Sequence, residues 1–212
     1  MSKKMAELFR TISSGVYVVG VAHAEHRNAF TAAWIAQVSY KPLMLSLSVN
    51  PNNASYQLIK AGRAFAVNVL EEAQTDVVRH FGLHSGCERD KLAGHAWRTG
   101  ITGAPIFTDA LAYFDCRVQF TRRTGDHVLV IGQVLDGAIL KPGATPMTYA
   151  QTGDLDGGQA LYPTAFYDTP AVLIRHFWRS HHLRSLFTQI QSYRRLLAGC
   201  LNWDPTTCMH PP

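Results

Sequence analysis

The sequence predicts a mainly β protein of the α+β class, a mostly antiparallel barrel with short helices, followed by a helical C-terminal extension. Three observations support this fold class. Short β-branched and aromatic runs are separated by turns and short helices, without the regular rhythm of parallel βαβ units. No GxGxxG motif is present. The 212 residues are enough for one domain with a sizeable core and an appendage.

The first half of the chain alternates helices and strands. A short helix is expected over residues 6–13, with Leu8, Phe9 and Ile12 on one side. A second helix is expected over residues 55–61, with Gly62 as its C-terminal cap. The β-branched and aromatic segments predict strands over residues 16–22, around 29–33, 43–49 and 64–70.

The second half begins with an amphipathic helix and ends in a hairpin. Glu71 and Glu72 precede a helix that has Val77, Val78 and Phe81 inward and ends at Gly82. The polar stretch 83–103 is long enough to predict a lid or an interface loop. Two long strands follow, over residues 110–122 and 127–140, joined by a hairpin tip at 124–126. In the first of them, Tyr113, Asp115 and Arg117 are expected to share one face.

Charge distribution argues against nucleic acid as a partner. The formal net charge is +5, but residues 171–199 hold five Arg and no acidic residue. Residues 1–169 hold 15 basic and 14 acidic residues, a net charge of only +1. No apolar run approaches the roughly 18–20 residues that a membrane span needs. MSKKMAELFR has no apolar signal core behind its lysines, so we expect a soluble, cytoplasmic protein.

The cysteines predict neither a disulfide scaffold nor a metal site. Cys87, Cys116, Cys200 and Cys208 are far apart and include no CxxC pair. His80, His84 and Cys87 could share one helical face, yet no fourth ligand is spaced to complete a tetrahedral site. Reduced thiols and no bound metal are therefore expected.

The segment from Asn28 to Leu70 joins small strand residues to a polar loop, a combination that suits a flavin. Small side chains would let a flat ring lie against backbone amides, and a helix beginning at Asn53 or Ser55 would offer free N–H groups to a phosphate. An ordinary strand, turn and capped helix would explain the same residues without a ligand. The relevant side chains are Thr31, Ala32 and Ala33, then Ser46 and Ser48, then Asn50, Asn53 and Ser55.

Five motifs in order, from Phe9 to Tyr149, extend this interpretation. They are FRTISSGVYVVGV, FTAAWIAQVSYKPLMLSLSV, AFAVNVL, GAPIFTDALAYFDCRV and GDHVLVIGQV. Together they resemble the flavin reductase-like family of FMN-binding split β-barrels, which includes the small reductase components of two-component flavin monooxygenases. The resemblance implies a homodimer that binds FMN, or sometimes FAD, near the subunit interface and takes hydride from NADH or NADPH.

The resemblance also implies site residues, by motif position. His127 matches a position associated with the nicotinamide substrate, although it could equally be a hairpin residue paired with Asp126. The cofactor-binding residues that it implies are Thr31, Ala32, Ala33 and Trp34 along the flavin ring, Ser46, Ser48 and Val49 along the ribityl chain, and Asn50, Asn53 and Ser55 at the phosphate.

Two departures from the family pattern bear on binding. Trp34 stands where relatives usually have Ser or Asn, so its indole could stack on the flavin, shield it or fill the core. The loop NPNNAS lacks the Arg of some relatives, which leaves the phosphate to amides, hydroxyls and the nearby Lys60 or Arg63. The flavin could therefore be exchangeable.

The resemblance does not explain the C-terminal extension. We expect a flavin reductase-like domain over residues 1–160, then a linker and basic amphipathic helices within 161–212. Their apolar face could pack on the barrel or across a dimer, or the segment could dock on an acidic partner such as a monooxygenase or on an anionic membrane surface.

Three functions stay open on the sequence. The first is an NAD(P)H-dependent flavin reductase that supplies reduced flavin or electrons to an oxygenase or another acceptor. The second is an FMN-binding electron-transfer protein without NAD(P)H oxidase activity. The third is a cofactor-free barrel that serves as an interaction protein.

Overall fold

The structure is a computed structural model that describes residues 2–84, 86, 90–153 and 161–163. The chain divides into two compact units, Met1–Pro163 and Thr164–Pro212. The predicted helices within 171–199, most of the predicted linker, and Cys87, Cys200 and Cys208 lie outside the described residues. The domain boundary at residues 160 and 161 therefore stays a prediction.

Short helices and antiparallel strands make up the described part of the chain. Seven strands form one sheet in the order β2-β1-β5-β8-β9-β4-β3, and β6 pairs with β7 in a separate hairpin. All pairings are antiparallel, which confirms the predicted class. In chain order the elements are α1 (Ser2–Phe9), β1 (Tyr17–His23), β2 (His26–Ala32), β3 (Ile35–Tyr40), β4 (Leu43–Val49), α2 (Ala54–Gly62), β5 (Ala64–Val69), α3 (Thr75–Leu83), β6 (Trp97–Thr99), β7 (Pro105–Phe107), β8 (Ala112–Thr124), β9 (His127–Ile139) and a 3-10 helix (Tyr149–Thr152).

Strand β1 separates two hydrophobic clusters because its alternate side chains point to opposite faces. Val19 packs with Leu47 and Phe65 in the larger cluster, which fills the interior of the curved sheet. Val18 packs with Phe81 and other residues in the second cluster, beneath α3. In β4, Leu45, Leu47 and Val49 are buried, while Ser46 and Ser48 lie half-buried on the opposite face.

Asn68 connects the β6–β7 hairpin to the seven-stranded sheet by hydrogen bonds. Its Nδ2 donates to the carbonyls of Val18 (3.1 Å) and Pro105 (3.3 Å), and its Oδ1 accepts from the N–H of Phe107 at 2.8 Å. Gly20 permits this close approach, since a Cβ there would lie 2.2 Å from the carbonyl oxygen of Pro105. Asn68 is therefore a buried structural residue whose hydrogen bonds are satisfied within the fold.

Helix boundaries depart from expectation in two places. Helix α1 covers Ser2–Phe9 rather than residues 6–13. Gly62 is the last residue of α2, and Arg63 takes the left-handed capping position with φ 53° and donates its N–H to the carbonyl of Ile59. Glycine is required at position 62 because α2 approaches β1 closely there. A Cβ on it would lie 1.9 Å from the backbone oxygen of Ala22 on β1.

The predicted strand pattern lacked strands that the structure contains. Strand β3 was not predicted, because its side chains are exposed or half-buried and show no apolar alternation. The stretch 83–103 contains β6. Asp115 and Arg117 lie two residues apart in β8, which keeps a continuous register with β5, but their exposure differs. Arg117 is exposed, whereas Asp115 is buried and its carboxylate accepts from the N–H of Thr102 at 2.9 Å.

Candidate functional site

A pair of rings, one exposed and one half-buried, lies at one end of the sheet, where β3, β4 and β9 meet. The N–H of Ser48 donates to the carbonyl of Trp34 at 3.0 Å, and Ser48 is paired with Leu129. This register brings Trp34 beside the first residue of β9, His127. Their ring centroids lie 4.9 Å apart with an interplanar angle of 46°. Trp34 is 55% exposed, so the pair offers an aromatic surface to a flat ligand.

His127 is oriented by its neighbour in the hairpin turn. Its Nδ1 lies 2.9 Å from Oδ1 of Asp126, and its side chain is only 17% exposed. The hydrogen bond from His127, followed by the charge of that imidazole, lowers the pKa of the fully exposed Asp126 carboxyl. A proton on Nδ1 directed at Asp126 leaves Nε2 as the ring nitrogen available to a ligand.

The loop after β4 is ordered by its own asparagines. Asn50 Oδ1 accepts from the N–H of Asn52 at 2.9 Å. Asn53 is the N-cap of α2, and its Oδ1 accepts from the N–H of Ser55 at 2.9 Å. The first turn of α2 has no acidic residue, so the partial positive charge of the helix N-terminus is not neutralised there.

A cavity of about 320 Å³ opens beside this loop. We call it the Asn53 cavity, and it is bounded by Thr31 of β2, Asn53, the end of α3 and Lys91. Lys91 is only 3% exposed, and its Nζ donates to the carbonyl of Phe81 at 3.2 Å. A buried lysine and the N-terminus of α2 thus line the same cavity, and a helix N-terminus favours an anionic group.

The structure places the other predicted residues around these two features. Thr31 Oγ1 donates to the carbonyl of Val78 at 2.8 Å, and Ser46 Oγ donates to the carbonyl of Ala36 at 3.2 Å. Ser55 is buried, and its Oγ accepts from Asn28 Nδ2 at 3.1 Å. Ala32 ends β2, Ala33 follows it, and the side chain of Val49 is in the core. Their roles in binding stay predictions.

The cation at the Asn53 cavity is not one that the sequence suggested. Lys60 and Arg63 lie at the C-terminal end of α2, about 10 Å and about 15 Å along the helix from Asn53. Arg63 is engaged there, since its guanidinium donates to the carbonyls of Val118 and Gln119. Lys91 is the lysine that lines the Asn53 cavity. A single Lys within a long polar stretch has no sequence signal that distinguishes it, and only the fold shows its burial.

His80 of α3 and its C-cap residue His84 each have a ring nitrogen within hydrogen-bond distance of a backbone carbonyl. His80 Nε2 lies 2.9 Å from the carbonyl oxygen of Lys91, and His84 Nδ1 lies 3.2 Å from that of His80. Among the residues that the structure describes, no group of three or more potential ligands is arranged to hold a metal ion. None of the helices formed by those residues is long and apolar enough to cross a membrane.

Comparison with known proteins identifies the family. Residues 9–157 match the family described as "Flavin reductase like domain". The chain belongs to this flavin reductase-like family. The match confirms the family inferred from the five motifs and covers the large sheet and both features of the candidate site.

A curated relative of this flavin reductase-like chain is Diflavin flavoprotein A 1 of Synechocystis sp., 32% identical over 145 residues. The alignment covers 68% of the chain but 25% of that relative. The chain thus spans about a quarter of the length of the first curated relatives that it matches.

Solved structures share the fold. The NADH:FAD oxidoreductase SgcE6 of Streptomyces globisporus is 28% identical with a TM-score of 0.65, over 70% of this chain and 88% of that one. An FMN-binding protein from Thermus thermophilus is 30% identical with a TM-score of 0.57, over 60% of this chain and 72% of that one. These flavoproteins confirm the barrel fold.

Proposed function

We propose that this chain is an NAD(P)H-dependent flavin reductase that binds FMN, or FAD, and passes hydride from the nicotinamide to the flavin. The observation that supports it best is the placement of two complementary surfaces on one barrel. The Trp34–His127 pair suits flat rings, and the Asn53 cavity suits a phosphate. Flavin mononucleotide has these two parts.

The residues present fit a flavin phosphate. The N-terminus of α2 and Lys91 line the same cavity, and Asn53 and Thr31 add polar side chains to its wall. Asn28 and Ser55 are hydrogen-bonded to each other in the buried wall, so they hold that wall in place. The half-buried face of Ser46 and Ser48 is the path along which we place the ribityl chain.

Hydride transfer itself is the chemistry of the nicotinamide and the flavin when both are bound. The chain has to hold the nicotinamide ring and the flavin ring in contact and to exclude competing reactions. His127 is oriented by Asp126 through Nδ1, and we assign its Nε2 as the hydrogen-bonding group for the nicotinamide. We assign main-chain N–H groups of the segment from Ala32 to Trp34 to the polar edge of the ring, where fixed donors would stabilise negative charge.

We also propose that the working form is a homodimer. Large apolar side chains are exposed on the edge strand β3 and on the residues that follow it, at Val38, Tyr40 and Leu43. Clusters of exposed apolar residues of this kind mark protein interfaces. Light scattering after size-exclusion chromatography should then give twice the 23.5 kDa mass of one chain.

An FMN-binding electron-transfer protein is the second candidate, because Trp34 lies against His127. An indole that covers the ring face would hinder a nicotinamide while still permitting electron transfer to a protein acceptor. The similarity to a diflavin flavoprotein is compatible with this alternative. In either case the physiological acceptor, including a partner monooxygenase, is part of the proposal.

Replacing His127 by alanine tests the reductase. We expect the KM for NADH to rise about tenfold, the equivalent of one lost hydrogen bond of about 1.4 kcal/mol, while FMN affinity changes less than twofold. His23→Ala is the matched control, since His23 is an exposed histidine at the far end of β1. Unchanged kinetics in the His127 variant would remove His127 from the nicotinamide site. No oxidation of either nicotinamide by the flavin-loaded wild type would favour the electron-transfer protein.

A further inference from the structure

Arg122 lies in β8, close to the turn that joins β8 to β9. It is directly opposite Leu129 of β9, and Leu129 is directly opposite Ser48 of β4. Residues that are directly opposite each other on antiparallel strands have side chains on the same face of the sheet. Arg122, Leu129 and Ser48 therefore form a row across three strands.

This row lies on the face that carries His127. Val128 and Val130 are buried in the larger hydrophobic cluster, so Leu129 between them faces the other way. His127, two residues before Leu129, shares the face of Leu129. Arg122 is the diagonal neighbour of His127, a spacing of about 7–8 Å that long side chains can span. Arg122 thus belongs to the surroundings of His127.

A bulge in β8 gives Arg122 this direction. Cys116 and Val118 are both buried in the larger cluster, and continued alternation would turn residue 122 toward the same cluster. The register shifts between Val118 and Phe120, where β8 advances two residues and β9 advances one. The extra residue reverses the alternation, so Thr121 takes the position on the cluster side and Arg122 faces away from it. Bulges next to functional sites commonly redirect a side chain in this way.

The guanidinium of Arg122 is available to a ligand. Arg122 is exposed, and it makes no hydrogen bond or ion pair with the residues that the structure describes. The carboxylate of Asp126, in the adjoining turn, is engaged by Nδ1 of His127 at 2.9 Å. A guanidinium is a planar fork of donors that matches the oxygens of a phosphate.

The neighbouring Arg123 has the same charge but faces the other side of the sheet. It is opposite the buried Val128, and its Nε donates to the carbonyl of Gly125 at 3.3 Å. Strand β5 pairs with β8 no further than Arg117, so both arginines lie along an open edge, where charged side chains oppose the addition of another strand. Arg123 is therefore a matched control that separates this general effect from a role of Arg122 in binding.

We propose that Arg122 binds a phosphate of the nicotinamide donor whose ring contacts His127. The assignment rests on the proposed reductase function. NADH carries a pyrophosphate and NADPH carries an additional 2′-phosphate, and a guanidinium binds either group by the same paired hydrogen bonds. The flavin phosphate does not compete for Arg122, because the described residues that line the Asn53 cavity include none from β8 or β9.

The experiment measures steady-state kinetics of the full chain at saturating FMN with three donors: NADH, NADPH and N-benzyldihydronicotinamide, which has the ring but no phosphate. The wild type is compared with Arg122→Met and Arg123→Met. We expect Arg122→Met to raise the KM for at least one dinucleotide about tenfold, the equivalent of a hydrogen bond to a charged group, and to leave kcat within about twofold. The benzyl donor should react equally well with all three proteins. An effect on both dinucleotides assigns the pyrophosphate to Arg122, and an effect on NADPH alone assigns the 2′-phosphate.

Thermal melts establish that each variant is folded, and each kinetic outcome decides the proposal. Unchanged KM values for both dinucleotides, an equal loss with the benzyl donor, or the same loss in Arg123→Met would overturn it. If the wild type oxidises none of the donors, the reductase function fails and calorimetric titration with NADP⁺ decides the phosphate site. NADP⁺ binding that is weakened in Arg122→Met alone would then support the site, and absent or unchanged binding would overturn it.

Discussion

Replacing Asn53 by aspartate separates the structural role of this side chain from its proposed role in binding. The Oδ1 atom of Asn53 caps α2 by accepting from the N–H of Ser55 at 2.9 Å. Aspartate caps helices as well as asparagine does, and its charge is favourable at a helix N-terminus. We therefore expect the free energy of unfolding of Asn53→Asp to stay within about 0.5 kcal/mol of the wild-type value.

The same substitution should weaken FMN binding, because it adds a negative charge to the wall of the Asn53 cavity. Two unit charges about 6 Å apart interact with about 3 kcal/mol at an effective dielectric constant of about 20. The cavity is open to solvent, and salt screening reduces that repulsion to about 1–2 kcal/mol. The dissociation constant of FMN should then rise about 5- to 30-fold.

Riboflavin provides the decisive comparison, since it lacks the phosphate. Flavin fluorescence titrations of the wild type, Asn53→Asp and Asn53→Ser should show a loss of FMN affinity in the aspartate variant alone, with riboflavin affinity unchanged in all three. Serine keeps a capping oxygen without a charge, so it controls for the helix. An equal loss for FMN and riboflavin, or no loss for FMN, would refute the placement of the phosphate.

Three further predictions concern titratable groups. The pKa of Asp126 is lowered by its hydrogen bond to His127, so its contribution to stability is present above the unfolded pKa and lost as pH falls through the folded pKa. NMR titration should give a midpoint that moves back toward about 3.9 in His127→Ala, and an unchanged midpoint would contradict this. Burial raises the pKa of Cys116 to about 12, so iodoacetamide at pH 8 should label Cys116 only after unfolding. Burial, then the charge of His80, lowers the pKa of His95. Because the unfolded chain then binds this proton more readily than the folded protein, the free energy of unfolding decreases as the pH falls below about 6.5. His95→Asn removes this effect and should therefore reduce the fall in Tm between about pH 7.5 and 5.

Strong apolar alternation made part of the fold predictable. Strand β4 has the predicted bounds of 43–49, and β5 ends one residue before the predicted residue 70. In both strands most buried side chains are apolar and include β-branched, aromatic or leucine residues, so burial and propensity agree. The hairpin of β8 and β9 was predicted for the same reason, and its turn is at Gly125 and Asp126.

Elements that depend on tertiary contacts could not be predicted. Strand β3 is held by its pairing with β4 rather than by a buried face, so its sequence shows no period of two. Asp115 is buried and accepts a hydrogen bond from Thr102, a contact with another segment that no local pattern shows. Capping by Arg63 in place of Gly62 results from the contact of Gly62 with β1, which only the fold reveals.

The candidate site likewise contains residues that the sequence identified and a residue that only the fold reveals. Resemblance to the family assigned both Trp34 and His127 to the site, and their ring contact follows from the pairing of β4 with β9. Lys91 was not identified, because it is an ordinary lysine in a polar segment until the fold buries it. Sequence patterns thus locate strands and caps, whereas the charges that select a ligand depend on distant segments meeting.

The most direct test of the central proposal is an absorbance spectrum of the purified protein with and without added FMN, followed by anaerobic addition of NADH and then NADPH. We expect the two-banded spectrum of a bound flavin, and we expect it to bleach with at least one nicotinamide. Bound flavin that stays oxidised with both donors would contradict the reductase and favour electron transfer to a protein. Absence of flavin binding would contradict both functions.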